Sequence, residues 1–341
     1  MSVIIAPITE SLTEFLASKN YTQIVVLVDQ NTKKHCYPSI KAVLPKHTLI
    51  QIKSGEGNKN LSTCQHIWET MTNVQLDRHA LLINLGGGVI GDMGGFCAST
   101  YKRGIDFIQI PTTLLAQVDA SVGGKLGVDF EGLKNHIGVF QIPNAVLIDP
   151  DFLKTLPENE LRSGFAEVIK HCLIMDSMMW EVIRKQDWGQ QNWTQLINHS
   201  VEIKKQIVAQ DPTEKGLRKI LNFGHTLGHA VETFYLNKTK QHLLHGEAIA
   251  VGMIAEAYMS LGRKLISPET MNQIEEFIFT IYGIVTIPAS DFDAIIDLTL
   301  QDKKNRGGQV RFSLLTAAGA CTYDLMASKQ EMKKALAYYA Q

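Results

Sequence analysis

Short apolar runs alternate with longer mixed segments over the first 150 residues, and this alternation constrains the fold more than any other feature. The runs are rich in β-branched and aliphatic residues and lie at Ile24–Val28, Leu49–Ile52, Ala80–Leu85, Phe107–Ile110 and Ala145–Ile148. The segments between them are long enough to hold a helix that returns the chain to the start of the next strand. The pattern predicts βαβ units and a Rossmann-like, mostly parallel sheet.

The pattern changes after Pro150. Apolar residues then recur at steps of three and four, which is typical of helices that bury one face. The predicted helices are Glu160–Met175, Trp193–Ala209, Leu221–Tyr235 and His245–Leu261. A closing helix is expected over Ser328–Tyr339, preceded by a short strand at Gln309–Leu315. We therefore expect an α/β domain over residues 1–150 and a mostly helical domain over residues 151–341.

Composition excludes several classes of protein. The 341 residues are 45% hydrophobic and 20% charged with a net charge of −1, so nothing favours bulk binding to nucleic acid or membranes. The five cysteines are scattered and form no CxxC pair, which argues against a disulfide framework and favours a reducing compartment. The chain shows no signal-peptide pattern and no apolar run of membrane-spanning length. We expect a cytoplasmic protein that binds a small molecule.

A glycine-rich segment follows the predicted strand Ala80–Leu85 and precedes a helix. Gly86, Gly88 and Gly91 satisfy the G-x-G-x-x-G pattern, in which glycines let the backbone approach a pyrophosphate at a helix N-terminus. The segment comes after the third predicted strand, whereas a Rossmann domain carries it after the first. Asp29, at the end of the first predicted strand, is the better candidate for binding a ribose hydroxyl. The alternative is a glycine-rich turn without a ligand. The pattern favours a nucleotide-binding first domain.

Three histidines and one glutamate form a candidate metal site with a general base beside it. His225 and His229 are four residues apart on a predicted helix, so both imidazoles point to the same side. His245 begins the next predicted helix, and Glu167 offers a carboxylate from another helix. Imidazole and carboxylate suit Zn²⁺ or a similar divalent ion, and three protein ligands leave a position open for substrate. The alternative is two structural histidines and a third that is near them by chance.

Seven segments follow one another along the chain in an order that points to one family. These segments are Gly86–Asp92, Tyr101–Gly104, Gln109–Lys125, Lys134–Asn135, Gly164–Lys170, Leu221–His229 and Leu244–Glu247. Together they resemble 3-dehydroquinate synthases of the sugar phosphate cyclase superfamily, and the resemblance runs from about Asp29 to Gly319. It implies the dehydroquinate synthase-like fold, with an α/β nucleotide-binding domain followed by a mostly α-helical domain for metal and substrate.

The resemblance also implies an activity. Members of this family depend on NAD and one divalent metal, Zn²⁺ or Co²⁺, and are commonly homodimers. They are carbon–oxygen lyases of the shikimate pathway, which serves aromatic amino acid biosynthesis. They convert the phosphorylated sugar acid 3-deoxy-D-arabino-heptulosonate 7-phosphate into 3-dehydroquinate and phosphate. The steps are transient oxidation by NAD, phosphate elimination, reduction, ring opening and intramolecular aldol closure.

The same resemblance implies roles for individual residues. It makes Glu167, His225 and His245 the metal ligands and His229 a catalytic residue that is not a ligand. Around NAD it implies Asp29, Glu56, Lys59, Gly87, Gly88, Val89, Asp92, Thr112, Thr113, Asp119, Lys125, Lys134, Phe152 and Thr155. Around the substrate it implies Arg103, Lys125, Lys134, Asn135, Lys170, Lys204, Arg218, Asn222 and one of Lys303 and Lys304.

Three other functions stay open on the sequence alone. Another sugar phosphate cyclase would act on sedoheptulose 7-phosphate or glucose 6-phosphate and would differ around the substrate carboxylate. The joint presence of Lys204, Arg218, Asn222 and His229 favours the dehydroquinate enzyme over it. A metal-dependent polyol dehydrogenase would release NADH and would need fewer cations for a phosphate. A catalytically silent NAD-binding protein would be expected to have lost a metal ligand, and the sequence retains all three.

Overall fold

The computed structural model describes residues 2–236, 242–300 and 309–341. The chain divides into two compact units, and each is described by itself. The first unit comprises Met1–Leu161 and Trp193–Val201, and the second comprises Arg162–Asn192 and Glu202–Gln341. The domain boundary expected at residue 150 stays a prediction. Among the described residues, no helix combines the length and the apolar character that crossing a membrane requires.

Residues 2–157, which make up most of the first unit, contain eight strands and five α-helices. The strands are β1 (Ser2–Ile5), β2 (Ile24–Asp29), β3 (Thr48–Ile52), β4 (Leu81–Gly86), β5 (Asp106–Pro111), β6 (Lys125–Phe130), β7 (Leu133–Phe140) and β8 (Ala145–Ile148). The helices are α1 (Ile8–Ala17), α2 (Gln30–His35), α3 (Tyr37–Lys41), α4 (Leu61–Asn73) and α5 (Gly88–Thr100). Six strands form one sheet in the order β1-β8-β5-β4-β2-β3, and all neighbouring strands in it are parallel. The predicted parallel sheet is confirmed.

Burial on both faces explains why these strands are apolar along their whole length. In β2, Val25 and Leu27 lie in one core cluster with residues of α4 and α5. Val26 and Val28, on the opposite face of the same strand, lie in a second cluster with residues of α1 and α3. A strand that is covered by helices on both sides has no polar face, and so the sequence shows a continuous run instead of an alternation.

The sequence pattern did not predict β1 or the antiparallel hairpin of β6 and β7. Glu131 and Gly132 join the two hairpin strands, with φ angles of 50° and 76°. A two-residue turn in which both residues have positive φ matches the twist of a hairpin. The burial of β7 alternates between half-buried and exposed residues, so this strand lacks the continuous apolar run that identifies the sheet strands.

The rest of the chain is mostly helical, as expected. Its helices are α6 (Glu158–Met175), α7 (Ser177–Ile183), α8 (Trp193–Gln210), α9 (His225–Leu236), α10 (His245–Gly262), α11 (Pro268–Tyr282), α12 (Phe292–Thr299) and α13 (Lys329–Tyr339). Two antiparallel strands, β9 (Arg311–Ala317) and β10 (Ala320–Met326), form a separate small sheet. The Ser328 side chain accepts a hydrogen bond from the Glu331 N–H, which caps the closing helix α13.

Helix α5 lies unusually close to the sheet because of its glycines. A Cβ atom on Gly94 would lie 1.9 Å from Oδ1 of Asn84 in β4 and 2.9 Å from Cδ2 of Leu27. Asn84 is 1% exposed, and its amide oxygen and nitrogen have no hydrogen-bond partner among the described residues. The Asn84 amide is therefore crowded by α5 and also lacks a described hydrogen-bond partner. A buried unpaired amide destabilises the folded state by about 1–3 kcal/mol.

Replacing Gly94 with alanine is expected to destabilise the first unit by about 1–3 kcal/mol, because overpacking a buried contact forces its neighbours to shift. Asn84→Ala removes the obstructing amide, so the double variant should unfold at a higher urea concentration than Gly94→Ala alone. The measurement is the urea midpoint of the wild type, both single variants and the double variant. Strictly additive shifts would contradict a direct contact between the two positions.

Candidate functional site

The carboxyl ends of two neighbouring strands, β4 and β5, bring the glycine-rich segment and the threonine pair together. Gly86 ends β4, and Gly87 precedes the first residue of α5, so the predicted strand–turn–helix context is confirmed. Thr112 follows β5 and donates its N–H to the Gly86 carbonyl at 3.1 Å. A Cβ atom on Gly87 would lie 3.0 Å from Cγ2 of Thr113, so a larger residue in this turn would crowd the threonine side chain. The exposed N–H groups of such a helix start are suited to a phosphate.

Asp29 ends β2, which lies beside β4 in the sheet. Its Oδ1 accepts hydrogen bonds from Asn31 N–H and Thr32 N–H, both at 2.8 Å, and so caps α2. The cap fixes the orientation of the carboxylate at the same edge of the sheet as the glycine-rich turn. This placement agrees with a residue that binds a ribose hydroxyl, although the strand is the second of the sheet in chain order and not the first.

A buried lysine joins five of the predicted residues into one cluster. Nζ of Lys59 lies 2.6 Å from Oδ2 of Asp92 on α5 and 2.6 Å from Oδ1 of Asn135 on β7. Nζ of Lys134 lies 3.2 Å from Oε1 of Glu56. Burial alone would lower the pKa of Lys59, but the Asp92 and Glu56 carboxylates outweigh it and raise that pKa above its ordinary value. Lys59 therefore stays protonated, and its charge is balanced by the neighbouring carboxylates.

The remaining predicted residues of the first unit are more dispersed. Val89 lies in the first turn of α5, Asp119 in the helical turn Ala116–Ala120, and Lys125 at the start of β6. Phe152 and Thr155 lie in the short helical turn Pro150–Thr155. Arg103 is exposed and has a left-handed φ of 68°, and no described contact brings it to the other predicted residues. Asp129, which sequence reasoning missed, accepts the Asn135 N–H at 2.7 Å and so holds the hairpin residue in place.

In the second unit, three helices bring Glu167, His225 and His245 to one point. Oε1 of Glu167 on α6 lies 3.2 Å from Nε2 of His225 on α9 and 3.1 Å from Nε2 of His245 on α10. Lys170, one turn along α6, forms an ion pair with Oε2 of the same carboxylate. The ring of His229 lies 5.0 Å from the ring of His225, centroid to centroid. Nitrogen atoms of the three histidines lie within 4.8 Å of one another.

This geometry contains two possible ligand sets. Both share His225 and His245, and the third ligand is Glu167 in one set and His229 in the other. The carboxylate set has the better chemistry, because Oε1 faces both Nε2 atoms and carries the negative charge that offsets a divalent cation. The second carboxylate oxygen is held by Lys170, which leaves Oε1 directed at the histidines.

Electrostatics distinguishes the two shared histidines. Burial opposes ionisation of Glu167, but Lys170 and His225 outweigh it and hold the pKa of Glu167 well below its ordinary value. Burial and then the Lys170 charge lower the pKa of His225. Burial would also lower the pKa of His245, but the Glu232 and Glu167 carboxylates raise it to about 9. An ionised Glu167 and a neutral His225 are the forms that bind metals.

The start of α9 differs from the prediction. The sequence pattern predicted a helix from Leu221, but residues Leu217–Asn222 form a 3₁₀ turn and α9 begins at His225. Gly224 has a φ of 78°, which separates the two segments. Oε2 of Glu256 on α10 accepts the Gly224 N–H at 2.7 Å, and Oε1 accepts the Leu227 N–H at 3.0 Å. A buried carboxylate therefore caps the helix that carries two of the histidines.

The predicted substrate cations of the second unit are buried. Lys204 on α8 is 5% exposed and Arg218 is 2% exposed. Nη1 of Arg218 donates to the Pro212 carbonyl at 2.6 Å, and Nδ2 of Asn222 donates to Oε1 of Glu214 at 2.7 Å. Sequence reasoning missed Glu214. Lys303 and Lys304 lie outside the described residues.

Two family models match the chain. The 3-dehydroquinate synthase N-terminal model matches residues 49–163, and the 3-dehydroquinate synthase C-terminal model matches residues 164–305. A 3-dehydroquinate synthase of Parabacteroides distasonis is 39% identical over 344 residues, which cover 99% of this chain and 97% of the relative. Another 3-dehydroquinate synthase, of Acetivibrio thermocellus, is 41% identical over 307 residues, which cover 86% of this chain and 82% of that one.

A solved structure is similar in fold. It is the 2-epi-5-epi-valiolone synthase of Streptomyces hygroscopicus subsp. jinggangensis with NAD⁺ and Zn²⁺ bound. Its TM-score is 0.90 at 25% sequence identity, and the match covers 99% of this chain and 96% of that chain. The family models span more than half of the sequence, and the relatives match it nearly end to end. The chain therefore belongs to the 3-dehydroquinate synthase family.

Proposed function

We propose that the chain converts 3-deoxy-D-arabino-heptulosonate 7-phosphate into 3-dehydroquinate and inorganic phosphate, the reaction of its family in the shikimate pathway. As a member of that family it is an enzyme, a carbon–oxygen lyase that acts on a phosphorylated sugar. The observation that carries the proposal is the convergence of Glu167, His225 and His245 on one point. The direct test is incubation with the heptulosonate phosphate, NAD and Zn²⁺, followed by measurement of released phosphate.

The metal ligands of this proposal are Glu167, His225 and His245. The donor set fits Zn²⁺ or Co²⁺, since two imidazole nitrogens lie 3.2 Å and 3.1 Å from one carboxylate oxygen. Bound metal would polarise the oxygen of the hydroxyl group that is oxidised. The similar 2-epi-5-epi-valiolone synthase binds Zn²⁺, which supports a zinc site in this chain. We assign His229 to proton transfer at that same hydroxyl oxygen.

The fit to NAD depends on the glycine-rich turn and the buried cluster around Lys59. The helix start at Gly87 offers N–H groups to a pyrophosphate, and Asp29 offers a carboxylate to a ribose. Bound NAD supplies a reversible oxidation of the substrate and is regenerated in each turnover. The proposed binding residues are Asp29, Glu56, Lys59, Gly87, Gly88, Val89, Asp92, Thr112, Thr113, Asp119, Lys125, Lys134, Phe152 and Thr155.

The substrate carries a phosphate and a carboxylate, and buried anions require fixed cations and hydrogen-bond donors. Lys204 and Arg218 provide two buried cations in the second unit. The full proposed set is Arg103, Lys125, Lys134, Asn135, Lys170, Lys204, Arg218, Asn222 and one of Lys303 and Lys304. Lys170 has a second role in this proposal, because its ion pair keeps Glu167 ionised.

Three further parts of the proposal concern the whole molecule. We propose a homodimer, as is common in the family, and a division into an NAD-binding domain over residues 1–150 and a metal- and substrate-binding domain over residues 151–341. We also propose a cytoplasmic location, which is supported by five free cysteines, four of them buried. Thiols that stay reduced are typical of a reducing compartment.

A second candidate function is another sugar phosphate cyclase. The observation that favours it is the high structural similarity to a 2-epi-5-epi-valiolone synthase. The two candidate functions differ in substrate, because only the substrate of the dehydroquinate enzyme carries a carboxylate. Equal turnover of sedoheptulose 7-phosphate and the heptulosonate phosphate would replace the first proposal by the second. The relatives at about 40% identity that act as 3-dehydroquinate synthases favour the first.

Replacing Glu167, His225 or His245 with alanine should remove bound metal and activity together, because each takes one of three ligands from the ion. His229→Ala should keep the metal and lose turnover. Metal content of the purified variants and phosphate release are the two measurements, with His242→Ala as a control that removes an exposed imidazole three positions before His245. An empty site in His229→Ala together with a filled site in Glu167→Ala would contradict the assignment.

NAD is expected to act as a catalyst and not as a consumed oxidant. Substoichiometric NAD should support many turnovers, and absorbance at the NADH band should not rise in the steady state. NADH that accumulates in step with product would instead indicate a polyol dehydrogenase.

Arg218→Ala and Lys204→Ala should lower kcat/KM for the heptulosonate phosphate by about 10- to 200-fold, since a charge-assisted contact to a buried anion is worth roughly 1.5–3 kcal/mol. The loss should be much smaller with an analogue that lacks the carboxylate. Their chain neighbours Lys219→Ala and Lys205→Ala are matched controls, because both lysines pair with surface acids, Asp324 and Glu202. Equal losses with both compounds would show that neither residue recognises the carboxylate.

A further inference from the structure

The two shared histidines of the proposed metal site have different partners on their outer nitrogens. Nδ1 of His225 lies 3.0 Å from the Phe223 carbonyl oxygen. Nδ1 of His245 lies 3.2 Å from Oε2 of Glu232. In both rings, Nε2 is the atom that faces Glu167. Each Nδ1 therefore faces an acceptor to which it can donate its hydrogen, and each Nε2 is the nitrogen left to bind a metal at the point where the ligands converge.

Position on α9 directs Glu232 to this site. Glu232 follows His225 by seven residues and His229 by three, so all three side chains lie along one face of the helix. His225 and His229 use that face to reach the metal ligands, and Glu232 reaches one turn further to the ring of His245 on α10. Helix α9 therefore provides the proposed ligand His225 and also the carboxylate that contacts the ligand His245.

The difference in burial explains why His245 needs such a partner. The His225 side chain is 9% exposed, whereas the His245 side chain is 22% exposed and is less confined by packing. The Glu232 side chain is 7% exposed. A buried carboxylate is costly unless it is paired, and the imidazole N–H is a suitable partner.

We propose that Glu232 is a positioning residue for the metal: its carboxylate holds the His245 ring with Nε2 directed at the ion and makes that nitrogen a stronger donor. Outer carboxylates that hold a metal-binding histidine in one tautomer commonly change metal affinity by about 10- to 100-fold. The inference rests on the proposed metal site and adds a residue that neither the spacing of the histidines nor the family resemblance assigned.

The test measures metal binding by the full-length chain. Dissociation constants for Zn²⁺ and Co²⁺ are determined by competition with a chromogenic chelator for the wild type, Glu232→Ala and Glu232→Gln. We expect affinity to fall about 10- to 100-fold in Glu232→Ala. The fall should be smaller in Glu232→Gln, whose amide oxygen still accepts the Nδ1 hydrogen but carries no charge. The visible absorption bands of bound Co²⁺ should also shift in Glu232→Ala, because they report the geometry of the ligands.

Glu247→Gln is the matched control, because it removes the same charge from the first turn of α10. Glu247 caps that helix by accepting the Leu244 N–H at 2.8 Å, and a glutamine side chain can accept the same hydrogen bond. Its metal affinity should therefore change little. If Glu247→Gln and Glu232→Gln weaken binding equally, the effect is a general loss of charge and the proposal is wrong. If Glu232→Ala does not fold, Glu232→Gln, which has nearly the same shape, carries the test.

His245→Ala separates failure of this inference from failure of the proposed function. Loss of metal in His245→Ala with unchanged affinity and Co²⁺ spectrum in both Glu232 variants would overturn only the role of Glu232. Retention of metal by His245→Ala, or no metal binding by the wild type, would overturn the metal site itself. Weaker metal binding in both Glu232 variants, with intact binding in Glu247→Gln, would establish the positioning role.

Discussion

The second unit is organised around the buried carboxylate of Glu167. A charge in the interior must be paired with opposite charges or hydrogen-bond donors, or the folded state is strongly destabilised. Its partners come from three helices: Lys170 from its own helix α6, His225 from α9 and His245 from α10. Pairing of this carboxylate therefore requires α6, α9 and α10 to lie close together. The residues that are suited to bind a cation are thus the same residues that specify how the helices pack.

Close backbone contact makes that arrangement possible. A Cβ atom on Gly252 of α10 would lie 1.9 Å from the Gly224 carbonyl oxygen, and one on Gly246 would lie 2.0 Å from the Ser163 carbonyl oxygen. Glycine at these positions lets α10 contact the start of α9 and also α6. The side chains of Glu167, His225 and His245 can then reach one another. Glu256 then fastens the start of α9 through two main-chain N–H groups. A larger residue at Gly246 or Gly252 would separate the helices that carry Glu167, His225 and His245.

The sequence predicted what local patterns can encode. Parallel strands appeared as continuous apolar runs, and the four-residue spacing of His225 and His229 placed both on one face of a helix. The hairpin was missed because its half-exposed strands lack such a run, and the true start of α9 was missed because a residue of the distant α10 caps it. The contact between Lys59 and Asn135 spans 76 positions and follows from topology, not spacing. The spacing of the histidines predicted a metal site, but only the family resemblance chose Glu167, His225 and His245 as the ligands and excluded His229.

The position of β1 has a consequence for how the sheet of the first unit forms. Among the residues that the structure describes, this strand pairs with β8 alone, with Ser2 opposite Ala145 and Ile5 opposite Ile148. Opposite residues of this pair are therefore 143 positions apart in the sequence, from 2 to 145 and from 5 to 148. Contacts of such long sequence separation form slowly, and an unpaired strand edge is a site for aggregation. The β1 edge of the six-stranded sheet therefore depends on the pairing with the largest sequence separation in that sheet.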